Sequence, residues 1–398
     1  MQADIFCRVV DNYGDIGVCW RLARRLSDGH HWRIRLWVDD LTSFARIQPG
    51  IVADAALQTI GGIDIVHWTS RPPDLDPAEV VIEAFACDPP AAFVQAMQRR
   101  HDSAGQRAPI WINLEYLSAE TWVESCHGLP SQRADGLTKY FFFPGFTQAT
   151  GGLLREPGLS AERDAFQASH DQQTDFLRGL GVHETPLRNR RSGARLISLF
   201  CYPNAPVAAL SQALASDARP SVMLVPEGVA PSLCASADHV QIVRVPFVSQ
   251  PEFDRLLWCA DLNFVRGEDS FVRAAWAARP LVWQIYPQDE DAHLQKLEAW
   301  LQHYPCPPEA QAAIRAWNAT APLNLAPAPA PGAAVSPSVT PTIHPWSTPI
   351  TTALVAVLRT PAWENWQDAA RAWDAEQAAR PDLGDSLAKF CAELSKKR

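Results

Sequence analysis

The sequence predicts an α/β protein of two successive domains, each built on a doubly wound parallel sheet. Three observations carry that prediction. Short apolar runs alternate with segments of helical spacing from the first residues onward, the rhythm stops at a polar stretch near mid-chain and restarts, and polar loops recur at the carboxyl ends of the predicted strands. With 398 residues, 47% of them hydrophobic, the chain has material for two full cores.

Composition narrows the function. A formal net charge of -9 without a long basic block disfavours a nucleic-acid surface. The nine cysteines (7, 19, 87, 126, 201, 234, 259, 306, 391) are odd in number and never spaced Cys-x-x-Cys, which fits small buried hydrophobes in a reducing compartment. Met1-Gln2-Ala3-Asp4 lacks the basic and apolar regions of a signal peptide, and no run reaches the ~18 apolar residues of a membrane span, so a cytoplasmic protein is expected. P-loop, Gly-x-Gly-x-x-Gly and His-Glu-x-x-His motifs do not occur, which argues against those chemistries.

Taken in order, residues 5–10 read as a buried strand, 11–17 as a loop, and 18–26 as a helix with Val18, Leu22 and Leu26 on one face. That loop carries Asp11 and Asp15, with Gly14 and Gly17 allowing close approach to the backbone. Ligands of open parallel sheets bind in the crevice outside the strands' carboxyl ends; helix capping by Asp11 and Asn12 is the competing reading. Strands follow at 33–38, 63–67, 80–84 and 110–114, with helices opening at 39–42 and spanning 91–99. Residues 139–146 are too aromatic for an exposed loop and read as packed aromatics near the crevice or within the core.

The polar stretch 155–193, with a helix at 171–180 and a loop-like run at 185–193, is the predicted linker. The second half has strands at 196–200, 222–225, 240–243, 262–265 and 281–283, and helices at 207–215, 251–259 and 270–277. Residues 321–349, rich in Pro, Ala, Ser and Thr, read as an extended surface insertion that cannot bury enough apolar area to offset its ordering entropy. Trp363, Trp366, Ala370 and Trp373 share one helical face, and a final helix covers 383–394; both helices are expected to pack back on the first domain. The expected division is therefore 1–180 with 360–398, and 194–359.

Arg266-Gly267-Glu268-Asp269-Ser270, between a strand and a helix, suits an anion such as a diphosphate. Arg266 supplies charge and the helix N-terminus supplies free N–H groups, while Glu268 and Asp269 are better placed for sugar hydroxyls. An ordinary acidic helix N-terminus is the bland alternative. Residues 284–293 form another polar loop at the same end of that sheet.

Together, the motifs at 11–17, 113–118, 139–146, 266–274 and 284–293 resemble the EarP family, protein-arginine rhamnosyltransferases that modify elongation factor P. The resemblance spans nearly the whole chain except 321–349. It implies a GT-B glycosyltransferase with two Rossmann-like domains facing a central cleft and the nucleotide sugar held mainly by the second. It also implies dTDP-β-L-rhamnose as donor, inversion at the anomeric carbon, an arginine of elongation factor P as acceptor, and neither cofactor nor metal. By motif position, Asp15 is the general base, and Asp11 and Glu268 are further essential acids, with Glu268 on the donor side. Substrate contacts fall to Asn12, Tyr13, Gly14 and Gly17, then Phe200, Tyr202, Phe247, Gln250, Phe253, Arg266, Asp269, Ser270, Tyr286 and Gln288.

The chemistry of these residues agrees with that assignment. A guanidinium is a poor nucleophile that must be gripped and polarised, which carboxylates do well, and aromatics such as Phe247 and Phe253 can stack on a thymine. A GT-B enzyme with a small-molecule acceptor and a non-catalytic binding module are the alternatives.

Overall fold

A computed structural model describes residues 1–11, 13–102, 107–288, 291–319 and 349–397. The insertion expected at 321–349 thus lies outside the described residues except for Pro349.

The first half comprises β1 (Gln2–Cys7), α1 (Gly14–His30), β2 (Arg33–Val38), α2 (Leu41–Ile47), β3 (Leu57–Ile60), β4 (Ile63–His67), β5 (Val80–Ala84), α3 (Ala91–Asp102), β6 (Ile110–Leu114), α4 (Trp122–Cys126), β7 (Pro130–Gln132) and β8 (Thr138–Phe142). Its sheet runs β3-β4-β2-β1-β5-β6-β8-β7. The inner pairs are parallel, and the short strands β3 and β7 close the edges in antiparallel fashion. Strands β5 and β6 are buried along their whole length, as strands covered on both faces must be.

Helices α5 (Leu159–Ala168), α6 (His170–Gly179) and α7 (Glu184–Arg191) then lead into β9 (Arg195–Leu199), α8 (Val207–Ala215), β10 (Ser221–Pro226), β11 (Val240–Val245), α9 (Gln250–Cys259), β12 (Leu262–Arg266), α10 (Glu268–Ala275) and β13 (Leu281–Gln284). The second sheet is wholly parallel, ordered β11-β10-β9-β12-β13. Helices α11 (Ala292–His303), α12 (Pro308–Asn318), α13 (Ile350–Val357), α14 (Ala362–Ala378) and α15 (Leu383–Lys397) complete the described chain.

In both sheets the strand order reverses beside the first strand, between β1 and β5 and between β9 and β12. A crevice opens at the carboxyl end of such a reversal. It receives the segments after β1, β5, β9 and β12, which carry Asp11, Phe85, Tyr202 and Gly267.

Several boundaries differ from expectation for local reasons. Helix α1 begins at Gly14, so Asp15 and Gly17 lie in its first turn instead of on the loop. Residues 185–193, expected as loop, are mostly α7, whose single buried apolar residue, Leu187, gives no periodic signal. Helix α10 starts two residues before the expected Ser270, because Gly267 takes the unusual backbone that begins it.

The aromatic run 139–146 is strand β8 and its sequel. Phe146 packs on Phe271 (6.1 Å) and Trp373 (5.9 Å), so this end of the run is a seam between the two halves instead of a crevice wall.

The polar 155–193 stretch is more than a linker, because α5 and α6 pack on α9 and α7 packs on β10, within the core of the second half. The two terminal helices divide. Helix α15 packs on α1 and β6 as expected, held by Arg25–Asp382 (2.8 Å) and His30–Asp385 (2.9 Å). Helix α14 instead packs on α12 and α13 of the second half, where Trp366 Nε1 donates to the Tyr304 hydroxyl at 3.1 Å. Cys7, Cys19, Cys87, Cys201, Cys259, Cys306 and Cys391 are buried as small hydrophobes, whereas Cys234 is exposed. Among the described residues no helix is long and apolar enough to cross a membrane.

Trp366 is fully buried at the α14 seam, so Trp366→Ala should lower stability by about 3–5 kcal/mol, the usual cost of emptying a buried aromatic site. Urea unfolding should show a lower midpoint, and an unchanged midpoint would contradict the packing of α14 on the second half.

Candidate active site

The site starts from the turn after β1. Asp15 Oδ2 accepts hydrogen bonds from the backbone N–H groups of Val10 (2.8 Å) and Asp11 (2.9 Å), closing the turn over the start of α1. Burial pushes the Asp15 carboxyl up to about 6. The two N–H bonds oppose that rise, and the nearby charges of Asp11 and Glu268 add to it.

Asp11 Oδ2 accepts from the Tyr202 hydroxyl at 2.6 Å across the cleft. Burial raises its pKa as well, against the Tyr202 bond and the charge of Arg266. Gly267 faces this contact with φ +64, and a Cβ there would lie 2.7 Å from Asp11 Oδ2, so both backbone and space demand glycine.

Glu268, at the head of α10, completes the acid cluster. Its Oε1 takes the Lys296 ammonium at 3.1 Å and its Oε2 the Leu117 N–H at 3.0 Å, while burial raises its pKa.

Two cavities meet here. The first, about 610 Å³, is lined by Phe200, Phe247, Phe253 and Gln250, by Arg266, Asp269 and Ser270, and by Asp11, Tyr13 and Gly14. The Arg266 guanidinium lies over the rings of Phe200 (4.6 Å) and Tyr202 (4.8 Å), and Tyr13 reaches Phe247 from the first half at 4.9 Å. The second cavity, about 850 Å³, is lined by Asp11, Asp15, Glu268, Phe85, Tyr116, Tyr286, Gln288 and Lys296. Asp11 and Gly14 belong to both.

The family model described as Elongation-Factor P (EF-P) rhamnosyltransferase EarP matches residues 3–392. The chain belongs to the EarP family. A protein-arginine rhamnosyltransferase of Pseudomonas putida is 47% identical, covering 97% of each chain. A solved structure described as the structural basis for EarP-mediated arginine glycosylation of translation elongation factor EF-P has 33% identity and a TM-score of 0.59, covering 98% of this chain and 99% of that one. The spinosyn rhamnosyltransferase SpnG, with 11% identity and a TM-score of 0.51 over 98% and 100% of the two chains, shares the fold. The protein is a glycosyltransferase with the GT-B arrangement of two α/β domains about a cleft.

Against the residues expected from EarP resemblance, the structure groups Phe200, Phe247, Phe253, Arg266 and Ser270 in the first cavity, while Asn12 lies outside the described residues. Glu268, expected on the donor side, stands on the second domain but lines the second cavity with Asp11 and Asp15, because its side chain spans to Leu117 of the first. Tyr286 and Gln288 line that cavity too.

Gln250, Asp269 and Gly17 have a role the motif alone does not suggest. Gln250 Nε2 donates to the Gly17 carbonyl at 3.1 Å, Asp269 pairs with Arg21 Nε at 3.0 Å, and a Cβ on Gly17 would meet Asp269 Oδ2 at 3.0 Å. Gly17 thus lets α1 approach α10.

Behind these residues lies a charge network that the sequence reading missed. Arg21 and Arg273 both hold Asp254 (3.2 and 2.8 Å) and both reach Glu156 (3.4 and 2.7 Å). Its signal was present, since Gly17/Arg21, Gln250/Asp254 and Asp269/Arg273 are each four apart on one helix and so share a face. Phe85 and Lys296 were likewise missed, and Tyr116, inside the 113–118 motif, carried no role of its own. Among the described residues no group of three His, Cys, Asp or Glu side chains is arranged to hold a metal.

The Asp15 shift has a stability consequence. Its folded pKa, about 6, exceeds the ordinary 3.8, so its contribution is fully present below the ordinary value and is lost as pH rises through about 6. Asp15→Asn should therefore stabilise the protein at pH 8 by on the order of 2–3 kcal/mol, with the gain shrinking toward pH 4. Thermal unfolding at the two pH values checks this, and an equal effect at both would contradict it.

Proposed function

We propose that the enzyme moves L-rhamnose from dTDP-β-L-rhamnose, with inversion at the anomeric carbon, to one arginine side chain of elongation factor P, a cytoplasmic protein acceptor. The observation that carries this reading is the meeting of the two cavities at Asp11 and Gly14. One is aromatic with a single guanidinium, suited to a thymine and a diphosphate. The other is walled by three carboxylates, suited to a cation.

In the donor cavity, Phe247 and Phe253 offer faces and edges to the base. Arg266 and the free N–H groups at the start of α10 face the diphosphate and stabilise it as it departs, without calling on a metal. In the acceptor cavity, Asp11 and Asp15 hold the guanidinium fork. One guanidinium nitrogen attacks the anomeric carbon from the side opposite the diphosphate. The C–N bond forms, the C–O bond to the diphosphate breaks, and the proton released from that nitrogen passes to Asp15, so the product guanidinium keeps its charge. The names carried by the Pseudomonas putida relative and the EF-P structure support the acceptor.

Intact-mass analysis of elongation factor P after incubation with the enzyme and dTDP-L-rhamnose should show the gain of one rhamnosyl group, mapped to an arginine. Donor consumption with an unchanged factor would point to a small-molecule acceptor and overturn the reading. Asp15→Asn should cut turnover ~10²–10⁴-fold while leaving dTDP-rhamnose affinity near parental. Glu268→Gln should behave similarly, because its carboxylate lines the second cavity. The parental kcat/KM for the acceptor should rise with pH through about 6, where Asp15 of the free enzyme becomes ionised. A flat profile from pH 5 to 8 would remove Asp15 from that role.

A further inference from the structure

Beyond the carboxylates, the second cavity has an aromatic wall that no role yet explains. Phe85 and Tyr116 stack with ring centroids 4.4 Å apart and planes at 15°, and Tyr116 remains 36% exposed. Both line the same cavity as Asp11, Asp15 and Glu268.

The backbone under this pair is unusual. Phe85 and Ala86 have φ +58 and +52, a left-handed conformation that bulky residues rarely adopt. Strand alternation shows what the turn achieves. In β5, Ile82 and Ala84 point to one face of the sheet and Val81 to the other, so an extended Phe85 would follow Val81. The left-handed turn instead returns Phe85 to the side of Ile82 and Ala84, where it meets Tyr116. Hydrogen bonds pin the turn: Phe85 N–H donates to Leu114 O (2.7 Å) and Ala86 N–H to Asn113 Oδ1 (3.2 Å).

The wall already faces a cation. The Lys296 ammonium lies over the Tyr116 ring, 5.5 Å from its centroid, while bonded to Glu268. Because Phe85 covers one face of Tyr116, an incoming guanidinium displaces this ammonium from the other and takes its place between carboxylate and ring. A guanidinium has an advantage there over an ammonium, because it can lie flat on a ring while its edge N–H groups bond carboxylates in the same plane.

We propose that Tyr116, backed by Phe85, is the platform on which the acceptor guanidinium lies while its N–H fork meets the carboxylates, and that this pair selects arginine over lysine. The inference rests on the arginine-acceptor reading given above and assigns the specificity of that site to an aromatic surface. Tyr116 contributes its face, not its hydroxyl, to recognition.

Two measurements test it. In steady-state transfer to elongation factor P, Tyr116→Leu should lower kcat/KM for the protein acceptor about tenfold, the factor a partly desolvated cation–π contact supplies. Its dTDP-rhamnose affinity should stay within about twofold of parental, a split that general misfolding would not produce. Tyr116→Phe should restore the parental value, and Phe85→Leu should fall between the two. The platform is overturned if Tyr116→Leu transfers as well as the parent, or if Tyr116→Phe is as impaired as Tyr116→Leu.

The second measurement is independent of transfer: NMR titration of the enzyme with N-acetyl-arginine amide and with N-acetyl-lysine amide. The parent should favour the arginine compound and Tyr116→Leu should lose that preference; absence of a parental preference overturns the platform. If the parent shows the Tyr116-dependent preference yet modifies no arginine of elongation factor P, the platform stands and the proposed acceptor falls.

Discussion

The buried charge network between α1 and α10 is the constraint on which the site depends. Two guanidiniums, Arg21 from the first domain and Arg273 from the second, share the carboxylates of Asp254 and Glu156, and Asp269 adds a bond to Arg21. Both arginines are almost fully removed from water. Charges so placed lose hydration that only close, multiple pairing can offset, so the network specifies a geometry more than it adds net stability. Burial disfavours the charged form of Glu156, but Arg273 and Arg21 outweigh it and hold the carboxyl down at about 2, so its charge persists at any working pH. The result is a fixed approach of two helix N-termini, one bearing Asp15 and the other Glu268.

That approach creates the electrostatics of the cleft. Asp11, Asp15 and Glu268 are gathered where water is scarce, so burial raises the pKa of each, and repulsion from neighbouring acids adds to the rise at Asp15 and Glu268. Lys296 offsets part of this at Glu268, and Arg266, stacked over Phe200 and Tyr202, faces the other cavity. A cationic acceptor entering the carboxylate cavity would relieve the repulsion and favour the ionised form of Asp15. Domain contact, acid placement and the ionisation of Asp15 are thus linked through one interface.

The segment 266–270 shows how one short stretch serves several ends. Gly267 accommodates Asp11 by its missing Cβ, Glu268 reaches the first domain through Leu117, Asp269 pairs with Arg21, and Ser270 lines the aromatic cavity. The pentapeptide is chemically ambiguous when read alone, because acids look misplaced in a turn whose Arg266 and helix N-terminus suit an anion. Asp269 finds its cation, Arg21, on the other domain, and Glu268 is held between Lys296 of α11 and the Leu117 N–H of the other domain, which removes the conflict.

The strands, the two-domain rhythm and the polar loops at strand ends were legible in the sequence because apolar period and turn chemistry are local properties, and β4, β5 and β6 fall where their apolar runs do. The motifs likewise marked Asp11, Asp15 and Arg266 for one crevice, and these residues line its two cavities. Tertiary structure alone decided that Glu268 faces the carboxylate cavity, that Gln250 and Asp269 bridge to α1, that α14 and α15 part company, and that Phe85 turns back to Tyr116. Each of these depends on which surfaces are buried against one another across the cleft. The raised pKa of Asp15 follows from the same burial, since a carboxyl's ionisation responds to the water and charges around it and not to its neighbours in sequence.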